Sequence, residues 1–191
     1  IFNENVAMTY NAMQAVVDTG ATHLIFASSI HAMRNTVWPA VEDNPQPPKP
    51  AYLPLDGKIP AEPMSPYGLT KQVGEMIVEY FTRRFNLTGV SLRFPWIVSL
   101  DEVQRHRKLD LEKPGHTSYT LMYLTTADAA ALIADILQAD LTGYRVYMPG
   151  GTNCHCELTA RQIIERFYPD VPLHKPIEEI TMLVDNSVIT R

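Results

Sequence analysis

Two residues that could move a proton, Tyr67 and Lys71, stand four positions apart in a stretch patterned as a helix. Side chains at this spacing lie one above the other on a helix face, so the phenol and the ammonium are predicted neighbours. A lysine ammonium beside a phenol favours the phenolate. A tyrosine that works as a base near neutrality needs its pKa lowered by about 3 units from ~10, or roughly 4 kcal/mol. The pair is therefore a candidate for taking the proton of a hydroxyl group.

The helix that would carry this pair has a clear beginning. Ser65 is a favoured N-cap, and Pro66 takes the first helical position, where its missing N–H costs nothing. The spacing alone is weak evidence for catalysis, because a helix with a buried tyrosine and a solvated lysine has the same spacing. Apolar residues then recur at helical intervals, at Val73, Met76, Ile77, Tyr80 and Phe81.

The composition is that of an ordinary soluble globular chain, with 46% hydrophobic and 19% charged residues among 191. A net charge of -5 argues against nucleic acid as the main partner, and no apolar run is long enough to span a bilayer. There is no signal-peptide pattern, and two cysteines make no disulfide framework, which together predict a cytoplasmic location. The chain opens with Ile1 inside a helical pattern, so we expect it to be a fragment.

The run Cys154-His155-Cys156 could suggest a metal site. Zinc sites of this kind need a second pair of ligands, which the spacing lacks. His155 would also point away from its neighbours on an extended segment. No metal site is therefore expected.

Helices and strands alternate along the chain, which predicts an α/β fold with a parallel sheet covered on both faces. Residues 38–66 hold nine prolines and exclude regular helix or central strand, while their apolar residues favour a packed loop over a disordered linker. Residues 99–118 have no clean period and are expected to be irregular. Strands are predicted at 22–27, 90–94 and 143–148, with 119–124 as a further candidate, and helices at 6–17, 66–81, 126–137 and 160–167, with a weakly helical tail from 177.

Candidate chemical groups follow the first predicted strand and open the helix after it. Ligands of doubly wound sheets bind at the carboxyl ends of the strands, where Ser28 and Ser29 would meet Tyr67 and Lys71. A hydroxyl, a phenolate and an ammonium in one crevice suit removal of a proton from an alcohol while hydride leaves its carbon. No side chain accepts hydride, so this chemistry implies a nicotinamide cofactor.

Three motifs, in this order, resemble the extended short-chain dehydrogenase/reductase family, the NAD-dependent epimerase/dehydratases. They are Leu24–Ser29, Ser65–Lys71 and Ser91–Pro95, and Asn5-Val6 and Leu124–Ala129 resemble further family positions. The resemblance implies a Rossmann-like doubly wound parallel sheet with a small substrate-binding annex, and NAD or NADP as cofactor. Residues 1–191 would form one NAD(P)-binding domain fragment, the C-terminal two-thirds of the fold, with substrate-binding segments at about 95–125 and 150–191.

The resemblance also implies roles for single residues. Ser29 would hydrogen-bond the substrate hydroxyl, Tyr67 would be the base, and Lys71 would lower the pKa of the base and hold the nicotinamide ribose. A lone histidine such as His31 is also compatible with a structural role. The basic run from Arg105 to Lys108 is also compatible with a solvated surface. The further cofactor-binding candidates are Asn5, Ala27, Ser28, Phe94 and Pro95, and the further substrate-binding candidates are His31, Trp96, Arg105 and Arg107.

The departures from the family pattern bear on the substrate. The glycine-rich dinucleotide loop is absent, and the segment between Arg93 and Asp128 is short and lacks the Asn and Gly-Pro pattern of nucleotide-sugar members. This favours a small sugar or sugar acid, with NAD(P)-dependent oxidation, epimerisation or dehydration at a hydroxyl. The alternatives are a non-catalytic or truncated binding or regulatory member of the fold and a reductase of another small molecule. A homodimer through residues 3–18 and 66–84 is also implied by the resemblance.

Overall fold

The computed structural model describes residues 2–33, 49–106, 123–152, 154 and 156–189. Within these ranges no helix is both long and apolar enough to cross a membrane. Short 3-10 turns lie at Ile30–Ala32 and Ile177–Glu179. The helices are α1 (Phe2–Asp18), α2 (Pro66–Phe85), α3 (Leu100–His106), α4 (Thr126–Gln138) and α5 (Ala160–Phe167), and the strands are β1 (His23–Ser29), β2 (Thr88–Phe94), β3 (Trp96–Val98), β4 (Tyr123–Thr125) and β5 (Gly143–Tyr147).

The main sheet has the strand order β1-β2-β5, and all of its pairings are parallel. At its carboxyl edge, Ser28 pairs with Arg93 and Ser29 pairs with Phe94. Strands β3 and β4 form a second, two-stranded parallel sheet. The predicted α/β class with parallel strands is therefore confirmed.

The two faces of the main sheet are covered by different helices, because successive side chains of a strand point to opposite faces. Leu24 and Phe26 of β1 pack with the buried residues of α1 and α2. Ile25 packs on the other face, in a cluster that includes Ile136 of α4. Helices α1 and α2 thus lie on one side of the sheet and α4 on the other, as in a doubly wound fold.

Local capping signals place the helix ends where the sequence predicts them. The Ser65 side chain accepts a hydrogen bond from the Gly68 N–H at 3.0 Å, with Pro66 directly after it. At the end of α1, Gly20 has φ +72°, and the bonds from its N–H to Val17 and from the Ala21 N–H to Val16 form a Schellman motif.

The described part of the proline-rich loop, residues 49–65, is packed, as predicted. Leu53 and Leu55 are fully buried in a cluster with residues of α5 and the C-terminal segment. Their N–H groups donate to the carbonyls of Pro172 and Leu183 at 2.9 and 2.8 Å. This loop and residues 156–184 therefore form one compact annex beside the sheet.

Two sequence predictions are wrong in detail. Residues 99–118 were expected to be irregular, yet α3 begins within them because Ser99 and Glu102 form a reciprocal capping box. The tail from Ile177 forms only a three-residue 3-10 turn, since its N-cap position is Pro176, whose side chain makes no capping bond. Strand β3 was not predicted, and the first four residues of the candidate strand 119–124 lie outside the described ranges.

Candidate active site

The first turn of α2 lies against the segment that leaves β1. A Cβ atom on Gly68 would collide with the backbone carbonyl of His31, so only glycine allows this approach. The approach brings Tyr67 beside the carboxyl end of β1. Tyr67 is 44% exposed, so the residue lies at the protein surface.

Lys71 is held between the end of β1 and the Tyr67 ring. Its Nζ atom donates to the Ala27 carbonyl oxygen at 2.7 Å and lies 5.5 Å from the centroid of the Tyr67 ring and 5.3 Å from that of Phe26. Burial lowers the pKa of Lys71. The structure thus brings the phenol and the amine of the predicted pair together.

Ser29 ends β1, and His31 lies in the 3-10 turn that follows it. The Ser29 Oγ accepts a hydrogen bond from the His31 N–H at 3.2 Å, which leaves the hydroxyl hydrogen available as a donor. The rings of His31 and Tyr67 meet edge to face, with their centroids 5.6 Å apart. Among the described residues, His31 Nδ1 is buried without a hydrogen-bond partner, and burial lowers the pKa of this side chain.

The Ser28 side chain points into the protein interior. It is 4% exposed, and its hydroxyl donates to Glu75 Oε1 at 2.5 Å. Glu75 in turn forms a buried ion pair with Arg93. Arg93 belongs to the family-like motif Ser91–Pro95, but neither charged residue was predicted as part of the site, although Glu75 follows Lys71 by one helical turn and Arg93 interrupts an apolar strand.

The other predicted cofactor residues surround the same edge. Asn5 of α1 lies 3.5 Å, Nδ2 to Oγ1, from Thr70, which donates to the Tyr67 carbonyl. Phe94 lies beside Ser29 in the strand register, and Pro95 follows it in a buried position. These roles stay predictions, since the contacts are equally compatible with packing.

The predicted substrate residues are spread more widely. Trp96 opens β3 and pairs with Tyr123 of β4. Arg105 is exposed on α3, and its Nε–H donates to the Asp101 carbonyl of the same helix at 3.3 Å. Arg107 lies outside the described ranges.

The residues present fit the nicotinamide-ribose end of a dinucleotide. An ammonium has three N–H donors, and Lys71 uses one of them on Ala27, which leaves donors for ribose hydroxyls. The sequence holds no glycine-rich loop for the pyrophosphate. The described residues include no group of His, Cys, Asp or Glu side chains that could hold a metal ion, while His155 lies outside them.

Comparison with known proteins identifies the family. Residues 1–109 match the model of the NAD dependent epimerase/dehydratase family, so the chain belongs to that family. The chain is 28% identical over 148 residues to L-arabinose 1-dehydrogenase (NAD(P)(+)) of Haloferax volcanii, covering 74% of this chain and 54% of the relative.

Solved structures confirm the Rossmann-type fold. A UDP-galactose 4-epimerase superposes with a TM-score of 0.57 at 18% identity, covering 98% of this chain and 62% of that one. A glucuronic acid dehydrogenase from Chromohalobacter salexigens gives a TM-score of 0.57 at 20% identity, covering 90% and 56%. The chain therefore spans little more than half the length of the proteins it resembles. The predicted NAD-dependent epimerase/dehydratase family is therefore confirmed.

Proposed function

We propose that the natural protein containing this chain is an NAD(P)-dependent oxidoreductase that oxidises a hydroxyl group of a free sugar or sugar acid, with Tyr67 as the base. The observation that carries the proposal is the position of Lys71, hydrogen-bonded to Ala27 and next to the Tyr67 ring. The names of the arabinose and glucuronic acid dehydrogenases support a free sugar or sugar acid as substrate.

Each of the three groups has a distinct task in this reaction. Tyr67 takes the proton of the substrate hydroxyl, while the positive charge of Lys71 stabilises the phenolate. Ser29 donates a hydrogen bond to the substrate oxygen as it becomes a carbonyl. A bound nicotinamide would supply the hydride acceptor for the same carbon, so that the C–H hydrogen leaves with its electron pair, the O–H proton goes to Tyr67, and the C–O bond becomes C=O.

His31 is proposed to bind the substrate. Its ring borders Tyr67, and its lowered pKa favours the neutral imidazole. Because Nδ1 is buried, the ring would meet a sugar hydroxyl through Nε2. An ionised carboxylate on a sugar acid would need a cation instead. Arg105 and Arg107 remain the proposed partners for that group, and Trp96 remains a proposed substrate contact.

A spectrophotometric assay of the natural full-length protein tests the proposal. Pentoses, hexoses and uronic acids are offered with NAD+ and NADP+, and reduction of the nicotinamide is followed. Tyr67→Phe is expected to remove turnover. Tyr80→Phe, an exposed tyrosine on the same helix, is the matched control and should keep it. A full rate in Tyr67→Phe would show that the base is another group.

An epimerase is the second candidate reaction, because the chain matches the fold of a UDP-galactose 4-epimerase over nearly its whole length. Epimerisation regenerates the oxidised cofactor, so product would form without net nicotinamide reduction. Chromatography of the sugar product separates the two reactions. Failure of the natural protein to bind either cofactor would instead support a non-catalytic binding or regulatory protein.

We also propose that the protein forms a homodimer through α1 and α2 and works in the cytoplasm. The two helices pack together, with the rings of Tyr10 and Phe81 meeting edge to face at 5.3 Å. Their outer surfaces expose Met8 and Met76, which are 65% and 62% accessible. Pairing this apolar surface with that of a second copy would remove it from water.

A further inference from the structure

A buried ion pair is formed by a residue of α2 one helical turn beyond the candidate proton-transfer pair. Glu75 and Arg93 are 6% and 4% exposed. Arg93 binds the carboxylate with two parallel hydrogen bonds, from Nε to Oε1 at 2.9 Å and from an Nη atom to Oε2 at 2.8 Å. Glu75 lies one helical turn beyond Lys71 and two beyond Tyr67, so all three occupy the same face of α2.

The pair joins four segments of the chain. The Ser28 hydroxyl donates to Glu75 Oε1 at 2.5 Å, and the remaining Nη group of Arg93 donates to the Ile59 carbonyl at 2.6 Å. The end of β1, helix α2, the end of β2 and the proline-rich loop therefore meet at one buried ion pair. Ser28 and Arg93 are also paired in the strand register, so two neighbouring strands bind the same Glu75 side chain.

Stability alone is a poor explanation for this arrangement. Removing two charges from water costs several kcal/mol per ion, and replacing a buried pair by apolar residues of similar volume is often neutral or stabilising. A bidentate pair with further hydrogen bonds does, however, fix the relative position of the elements that it joins.

The bonds from α2 to β1 are made at consecutive residues of the strand. Lys71 donates to the carbonyl of Ala27, and Glu75 accepts from the side chain of Ser28. Ser29 is the next residue. Two adjacent turns of α2 are thus bonded to two adjacent residues of β1. The strand ends at Ser29, whose hydroxyl is proposed to bind the substrate.

We propose that Glu75, held by Arg93, is a positioning residue that sets α2 against the end of β1 and thereby aligns Tyr67 and Lys71 with Ser29. The inference rests on the proposed function of these three residues. A misplacement of ~1 Å between reacting groups can cost about 100-fold in rate. Loss of the positioning bonds is therefore expected to reduce kcat by a larger factor than it raises the KM for the cofactor, which Lys71 is also proposed to contact.

The test uses the natural full-length protein and two complementary variants. Ser28→Ala removes the bond to the strand and leaves the ion pair intact. The double substitution Glu75→Leu with Arg93→Met removes both charges together, so no buried charge is left unpaired. Glu79→Gln, which breaks the exposed Glu79–Arg83 ion pair one turn further along α2, is the matched control.

Tm, kcat and KM are measured for each variant, and NMR spectra of lysines labelled at Cε report the surroundings of Lys71. Both test variants are expected to lose about 10- to 100-fold in kcat and to change the KM for NAD(P)+ by a smaller factor. The double variant should keep a Tm near that of the wild type. The Lys71 signal should move toward those of exposed lysines, and Glu79→Gln should resemble the wild type throughout.

A network that does not position the catalytic groups gives a different result. If the double variant has wild-type Tm and wild-type kcat, or if Ser28→Ala changes neither kcat nor the Lys71 signal, the inference is overturned. Two other outcomes would contradict the proposed function itself. They are a wild-type protein without nicotinamide-dependent turnover and a Tyr67→Phe variant that keeps this turnover. In that case the Lys71 signal still decides whether the network positions this side chain.

Discussion

The Lys71 amine lies 5.5 Å from the centroid of the Tyr67 ring while it donates to the backbone of β1. A helix alone would leave this long side chain free to sample many rotamers in water. The bond to the Ala27 carbonyl holds it at the sheet edge, where its charge can act on the phenol. The pair is therefore a property of the joined helix and strand.

Replacing Lys71 by Met should reduce turnover strongly, because the phenolate formed on Tyr67 would lose its nearby positive charge. We expect kcat to fall by about 100-fold or more, in the range found for acid–base groups. Steady-state kinetics of the full-length protein measures this. Lys58→Met, at an exposed lysine of the proline-rich loop, is the control, and an equal loss in both variants would contradict the assignment.

Replacing Gly68 by Ala should disturb the site through the backbone. The added methyl group would meet the His31 carbonyl, so the first turn of α2 must move away from β1. Activity should fall about 10- to 100-fold, because Tyr67 moves with this turn. Leu69→Ala, at an exposed residue of the same turn, should keep most of the activity.

Acidification should destabilise the protein through His31. Burial holds the pKa of this side chain below its usual 6.5. Between the folded-state pKa and 6.5, the unfolded chain binds a proton that the folded chain does not. The free energy of unfolding therefore decreases as the pH falls below 6.5 and levels off beneath the folded-state pKa.

Urea unfolding at a series of pH values measures this effect. His31→Asn should flatten the dependence of the unfolding free energy on pH in that window. His23→Asn, at an exposed residue at the other end of β1, is the comparison. A His31→Asn variant with the same slope as the wild type would show that His31 does not contribute.

Truncation of Leu55 should test whether the proline-rich loop is part of the core. This side chain is fully buried, and its N–H donates to the Leu183 carbonyl. Leu55→Ala is expected to cost about 2–5 kcal/mol in the free energy of unfolding. Leu137→Ala, at a residue that is 60% exposed, should cost much less when measured by the same denaturant titration.

Charges on the outer surface of α1 and α2 should prevent dimerisation. Met8→Glu combined with Met76→Glu would place carboxylates on the apolar surface proposed as the interface. Light scattering should then report a monomer where the wild type is a dimer. Leu137→Glu, on the opposite side of the sheet, should leave the dimer intact, and a monomeric wild type would contradict the proposal.

Much of the fold was predictable because its signals are local. Ser65 and Pro66 start α2, Gly20 ends α1, and each acts within a few residues of its own position. The alternation of strands and helices was enough to predict a parallel sheet, and hence a site at its carboxyl edge. The capping box of Ser99 and Glu102 was equally local and could have predicted α3.

The sequence by itself determined the order of the main-sheet strands and their covering helices, and the residue types at the strand end, because helix caps and hydrophobic periods are short-range properties of the chain. Only the tertiary structure decided that Ser28 points inward to Glu75, and that Glu75 pairs with Arg93. These partners are 47 and 18 positions apart. Pairings over such distances depend on how the helix packs across the strands, which no local pattern of residues specifies.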